Sequence, residues 1–165
     1  MRGERDGGGI VLSALKNLNP AFISDGGSDV EALTVDIHVN RLTISITTAY
    51  GPQESAKIDI KKSFWNYLEE AERAKKDGKG FVLQGDLNCW LGPNILPHDK
   101  HEQNQNGKLF DKFVKNNNLV IVNTLPICKG LVTRSRIMLS KVEESTVDFF
   151  VVCNKLLPYV HENPQ

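Results

Sequence analysis

The apolar run Phe81-Val82-Leu83 leads through Gln84 into Gly85-Asp86-Leu87-Asn88, the segment of this chain best equipped for chemistry. A short buried strand here carries a carboxylate and a carboxamide out to one edge of a sheet, where parallel and mixed sheets bind ligands. Asp86 and Asn88 are two residues apart, so in an extended chain both side chains point the same way. Gly85 lets the backbone bend just before them. An anion beside a neutral amide can orient a water near phosphorus or hold a divalent metal. A strand followed by an Asx-rich turn is the structural alternative.

Other polar residues stand out by position. Asp148 lies within Val147-Asp148-Phe149-Phe150-Val151, where a carboxylate is costly unless hydrogen-bonded or part of a site. Arg134, Arg136 and Lys141 share one polar segment that could touch a nucleic-acid backbone or simply be solvated. His98 and His101, with Cys89 nearby, suggest zinc, but no fourth ligand has structural-site spacing. The lysines at 57, 61 and 62 read as the wet face of a helix, with Phe64 and Trp65 at or near its core.

The 165 residues suit a single domain with a real core, spanning 1–165. Hydrophobic residues make up 40% and charged residues 24%, a balance that argues against disorder. Twenty basic side chains match twenty acidic ones, which disfavours bulk electrostatic gripping of nucleic acid but permits a few local phosphate contacts. No apolar stretch approaches the roughly 18 residues of a membrane span, so no membrane partner is expected. The charged, glycine-rich N-terminus lacks a signal-peptide core, and three widely spaced cysteines suit a reducing, intracellular compartment.

The elements that must position these groups are mostly strands. Ile10-Val11-Leu12-Ser13-Ala14-Leu15 reads as a strand after Gly7-Gly8-Gly9, and residues 19–28 as a turn. Residues 32–39 and 42–50 alternate, with Leu33, Val35, Ile37 and Val39 facing the core beside Leu42, Ile44 and Ile46. From Ser55, a candidate cap, Ile60, Phe64, Leu68 and Ala71 recur at helical spacing, with Trp65 and Tyr67 on the flanks. A long loop runs over 89–104, then a helix over 107–115, and a strand over 119–123. Leu131-Val132-Thr133-Arg134 and residues 146–152 are further strands. The expected class is α/β, a two-sheet sandwich with helices packed outside the sheets.

In order along the chain, Thr48-Ala49-Tyr50-Gly51-Pro52, Gly85-Asp86-Leu87-Asn88, Thr133 and Ser145-Thr146-Val147-Asp148-Phe149-Phe150 resemble the motifs of the endonuclease/exonuclease/phosphatase superfamily. Residues 104–123 and Thr133-Arg134-Ser135-Arg136 resemble its non-LTR retrotransposon branch. The resemblance implies a deoxyribonuclease-like fold and magnesium-assisted attack of water on a phosphodiester, with DNA as substrate and, for such an endonuclease, a nuclear location. It implies catalytic roles for Tyr50, Asp86, Asn88 and Asp148. Asp86 would orient or deprotonate the water. Asn88 would hold that water or the phosphate, Tyr50 would donate to a phosphate oxygen, and Asp148 would orient a histidine. Thr133, Arg134 and Arg136 would bind substrate, and Asp86 and Asn88 would face the metal.

The chain departs from the family at both ends. It has no upstream strands with the asparagine and the magnesium-binding glutamate, and no closing Ser-Asp-His; His161 follows no Ser-Asp. It therefore reads as the middle and later part of the domain, weak or inactive alone. Two alternatives are a non-catalytic remnant that binds at most nucleic acid and a small-molecule phosphatase. Missing strands would also leave Val11 and Leu12 without neighbours, or an open sheet edge prone to self-association.

Overall fold

The computed structural model describes residues 10–75, 78–129, 132–138 and 141–160. Gly7-Gly8-Gly9, Lys76, Leu131 and His161 lie outside them. The described strands are β1 (Ala21–Asp25), β2 (Ala32–Val39), β3 (Leu42–Ala49), β4 (Gly80–Asp86), β5 (Leu119–Ile121), β6 (Arg134–Met138), β7 (Lys141–Ser145) and β8 (Asp148–Cys153). The α-helices among the described residues are α1 (Ile58–Arg73) and α2 (Gln105–Asn116). Six strands form one mixed sheet in the order β1-β2-β3-β4-β8-β5, and β6 and β7 form a separate hairpin. The expectation of an α/β protein holds, but the described residues form one principal sheet rather than a two-sheet sandwich.

The crossover between β3 and β4 brings two strand ends to one edge of the sheet. These strands run parallel, with Ile44 opposite Gly80 and Thr48 opposite Gln84, and α1 connects them. Their C-terminal ends thus emerge together, at Ala49 and Asp86. β8 runs antiparallel to β4 and begins at this same edge, pairing Asp148 with Asp86.

Both helices cover one face of the sheet. Phe64, Trp65 and Leu68 of α1 join Phe110 and Phe113 of α2 above Phe81, Leu83, Phe149 and Val151, all buried. Trp65 stacks on Phe110 with centroids 5.7 Å apart, and Phe110 meets Phe149 at 5.0 Å. Trp65, read from the sequence as core or near-core, is buried as Phe64 is, while Ile60 is 41% exposed. Lys61, expected on the wet face, is buried because its Nζ donates to the Glu54 carbonyl (2.7 Å) and pairs with the Glu54 carboxylate (3.5 Å).

The β2–β3 hairpin corrects the face assignment. Tyr67 of α1 hydrogen-bonds Thr34, which hydrogen-bonds Thr47, so the helices cover the polar face of the alternation. Asp36 is held there by Ser45 and Lys79. The apolar face, with Val35, Ile37 and Val82 buried, lies on the other side of the sheet. A pattern of alternation fixes two faces but not which one the helices take.

Other local expectations change too. Residues 10–15 form no strand, and β1 instead falls within the stretch read as a turn, with a register shift between Phe22 and Ser24. Val11 is 84% exposed, whereas Leu12 is half-buried. Ser55 does not cap α1, whose N-cap position is Lys57. Val132 and Thr133 precede β6 rather than forming a strand, and Asp148 opens β8 at its exposed end. The cost of burying that carboxylate therefore does not arise.

Candidate functional site at the ends of β3, β4 and β8

Asp86 is the last residue of β4, and the backbone turns sharply around it. Gly85 has φ +134°, and a Cβ there would sit 2.0 Å from the Ala49 carbonyl oxygen. Its glycine thus serves the close approach of β3 as well as a bend. Asn88 is left-handed, with φ +48°, and its backbone N–H donates to Asp86 Oδ1 at 2.9 Å. Asp86 and Asn88 come together through this Asx turn, not by sharing one face of an extended strand.

Neighbouring loops lock the turn. Gly51 N–H donates to the Asp86 carbonyl (2.7 Å), and Leu87 N–H donates to the Val147 carbonyl (2.9 Å). Asn88 Nδ2 donates to the Gly51 carbonyl at 2.8 Å. Asn104, the N-cap of α2, donates through Nδ2 to the Asn88 carbonyl (3.0 Å), while its Oδ1 accepts from Gly107 N–H (2.7 Å) and Trp90 N–H (3.1 Å). The buried Asn106 adds a bond to the Pro52 carbonyl.

The result is a polar hollow of about 520 Å³ into which Tyr50, Asp86, Asn88, Arg134 and Arg136 all reach. These five come from strand ends, a turn and the β6–β7 hairpin, so only the fold assembles them. Arg134 and Arg136 both belong to β6, and their i, i+2 spacing puts both on one face of the hairpin. Arg136 Nε donates to Glu143 at 2.7 Å across that hairpin. This bond and the Arg136 charge hold the Glu143 carboxyl below its ordinary value.

Two expected site residues stand outside the lining. Asp148 is paired across the strands with Asp86 and is exposed. Thr133 Oγ1 accepts from the N–H groups of Val147 and Asp148, both at 3.1 Å, and so ties the hairpin to the start of β8. Conversely, Gln53, Glu54, Ser55, Trp90 and Asn104 line the hollow without having been singled out as site residues. Most of them lie within a few residues of Tyr50 or Asn88, so the strand-end rule extended over the next loop would have reached them.

Burial raises the Asp86 carboxyl above its ordinary value; the Asn88 N–H opposes this, Asp148 adds to it, and Arg134 opposes it. A carboxylate whose protonation is eased in this way is a better proton acceptor than a free one. Replacing Asp148 with asparagine removes a negative neighbour, so Asp86 should ionise at lower pH. Carboxyl NMR titration of Asp86 in the variant checks this, with Arg134→Gln expected to move it the other way. The Cys89 thiol, fully buried, is pushed well upward by burial and by the charges of Asp86 and Glu54, and is correspondingly inert.

The resemblance implies magnesium, and the donor set can be compared with that ion's needs. Magnesium requires octahedral oxygen coordination with a firmly held carboxylate. Here Asp86 Oδ1 already accepts from the Asn88 N–H, and Glu54 is paired with Lys61. No three His, Cys, Asp or Glu side chains converge to hold a metal among the described residues. Asp86 and Asn88 alone do not fit the ion. His98 and His101 are engaged elsewhere, His98 with Thr146 and His101 with Asp99 and Glu143.

No protein-family profile and no curated protein matches the sequence. Among solved structures, the chain is similar to the endonuclease domain of TRAS1, a telomere-specific non-LTR retrotransposon, at TM-score 0.62 and 18% identity. The match covers 86% of this chain and 58% of that one, so the chain spans little more than half of its structural relative. A zebrafish (D. rerio) TDP2 complexed with single-strand DNA product matches at TM-score 0.49 and 8% identity, over 82% of this chain and 53% of that one. An endonuclease/exonuclease/phosphatase protein of Beutenbergia cavernae matches at 0.48 and 15%, over 74% and 32%. At these identities the likeness is one of fold. The chain has the fold of the TRAS1 endonuclease domain over the part that it covers.

Proposed function

We propose that the hollow binds a nucleic-acid phosphate and that this chain is the core of a phosphodiester-cleaving endonuclease domain of the retrotransposon type. The observation that carries the reading is Asp86 itself, a partly buried carboxylate with eased protonation, set beside two arginines, a tyrosine and an amide. Arg134 and Arg136 neutralise the phosphate, and Tyr50 and Asn88 donate hydrogen bonds to its non-bridging oxygens. Asp86 takes the proton of the attacking water, and Asp148 acts on the reaction through Asp86. Magnesium is the cofactor that the resemblance implies; the donors on this chain do not complete its site, which is why the cleavage expected of it is slow.

That shortage of metal donors favours a second reading, a domain that binds DNA without cutting it. Supercoiled plasmid incubated with the protein in magnesium or in chelator separates the two. Slow nicking confined to magnesium is the expected result. Retarded but uncut plasmid under both conditions would establish the binding-only reading. Phosphate released from an inositol phosphate, with no nicking, would replace both with a phosphatase.

A further inference from the structure

We propose that Trp90 is a stacking platform for a nucleobase, placed to hold the base next to the phosphate bound at Asn88. The inference rests on the reading of the hollow as a nucleic-acid phosphate site and adds to it a contact with the base.

Trp90 is half-buried and lines the hollow, while the chain's other tryptophan, Trp65, is packed into the core. Its backbone is fixed at both polar groups: the N–H donates to Asn104 Oδ1 (3.1 Å), and the carbonyl accepts from Asn104 N–H (3.3 Å). Gly107 packs so closely that a Cβ there would lie 2.0 Å from the Trp90 carbonyl oxygen. The ring is fixed as well. It stacks on the His101 imidazole at 4.4 Å and 22°. That imidazole is itself braced by Asp99 Oδ1 at 3.1 Å and Glu143 Oε1 at 3.3 Å.

One indole face is thus covered by imidazole, yet the residue still contributes to the wall of the hollow. A rigid aromatic with one supported face presents stacking area at little entropic cost, and any base offers a matching π-face. The same Asn104 side chain that accepts from Trp90 N–H also donates to the Asn88 carbonyl. One clamp therefore sets the platform and the phosphate-binding turn in fixed relation, as recognition of neighbouring parts of one strand requires. Arg136 completes the frame, since its partner Glu143 is also the brace of His101.

The test compares binding of two single-stranded decamers in chelator, one of thymidylate and one entirely abasic, with equal backbone charge. Wild-type protein should prefer the thymidylate decamer by roughly tenfold, the size expected of a single base stack. Trp90→Leu should lose that preference while holding the abasic decamer as wild type does, and Trp90→Phe should keep most of it. Equal wild-type affinity for the two decamers, no binding of either, or a preference retained in Trp90→Leu would overturn the proposal. Should Trp90→Leu fail to fold, Trp65→Phe leaves Trp90 as the single indole reporter. Quenching by the thymidylate decamer but not by the abasic one is then expected, and equal quenching would overturn it. Plasmid nicking by wild-type protein, measured in parallel, reports separately on the endonuclease reading, because it does not depend on the base preference.

Discussion

Asp86→Asn should lower magnesium-supported plasmid nicking by about a thousandfold while leaving DNA affinity unchanged or slightly tighter. The substitution keeps the shape of the side chain, and its Oδ1 can still accept from the Asn88 N–H, so the turn should survive. What disappears is the basic oxygen that takes a proton from water, a contribution of roughly 10²–10⁴ in rate where a positioned base acts. Removing a negative charge from a hollow that holds two arginines also eases the approach of a phosphate. Nicking rates and fluorescence anisotropy, measured on the same preparation, check both halves. A variant that cuts as fast as the parent would remove Asp86 from the chemistry. One that loses binding and cutting together would make it a scaffold for the turn.

Gly85→Ala should be the most damaging small substitution in the site region, lowering stability by about 3 kcal/mol or more. The position has φ +134°, where L residues rarely sit, and a Cβ there would collide at 2.0 Å with a main-chain oxygen of Ala49. Backbone cannot swing aside as a side-chain tip can. Relief would require β3 and β4 to part at the very ends that carry Tyr50 and Asp86. The midpoint of thermal unfolding should fall by roughly 10 °C, given a few degrees per kcal/mol for a chain of this size. Thermal and denaturant unfolding check the value. Gly78→Ala serves as the control: it shares a positive φ, +91°, but a Cβ there meets nothing within 4 Å. It should cost much less.

The site was legible in part because its residues end apolar runs. Asp86 and Asn88 follow Phe81-Val82-Leu83, and Tyr50 follows the alternation of β3, so strand-end chemistry is legible in the sequence. Asp148 stands out in the sequence as a charge inside an apolar run, but it opens β8 in solvent rather than interrupting it. The burial of Lys61 is not legible in the sequence, because a charge on a helix looks wet until a partner such as Glu54 is brought against it from an adjoining loop. Trp90, Glu54 and Asn104 carried no periodic signal. Their positions come from loops closed by side chain-to-backbone bonds, and such bonds leave no mark at a regular spacing.

The chain's sequence by itself determined its class, the two helices, most strands of the main sheet and the chemical types of Tyr50, Asp86, Asn88, Arg134 and Arg136, because hydrophobic period and strand-end polarity are local properties. Tertiary structure alone decided which sheet face the helices cover, that Asp86 and Asn88 meet through a left-handed turn, and that the β6 arginines reach the same hollow. Those outcomes depend on which strands become neighbours. Parallel pairing of β3 with β4 and antiparallel pairing of β8 bring three distant segments to one edge, and no spacing within any of them encodes that meeting.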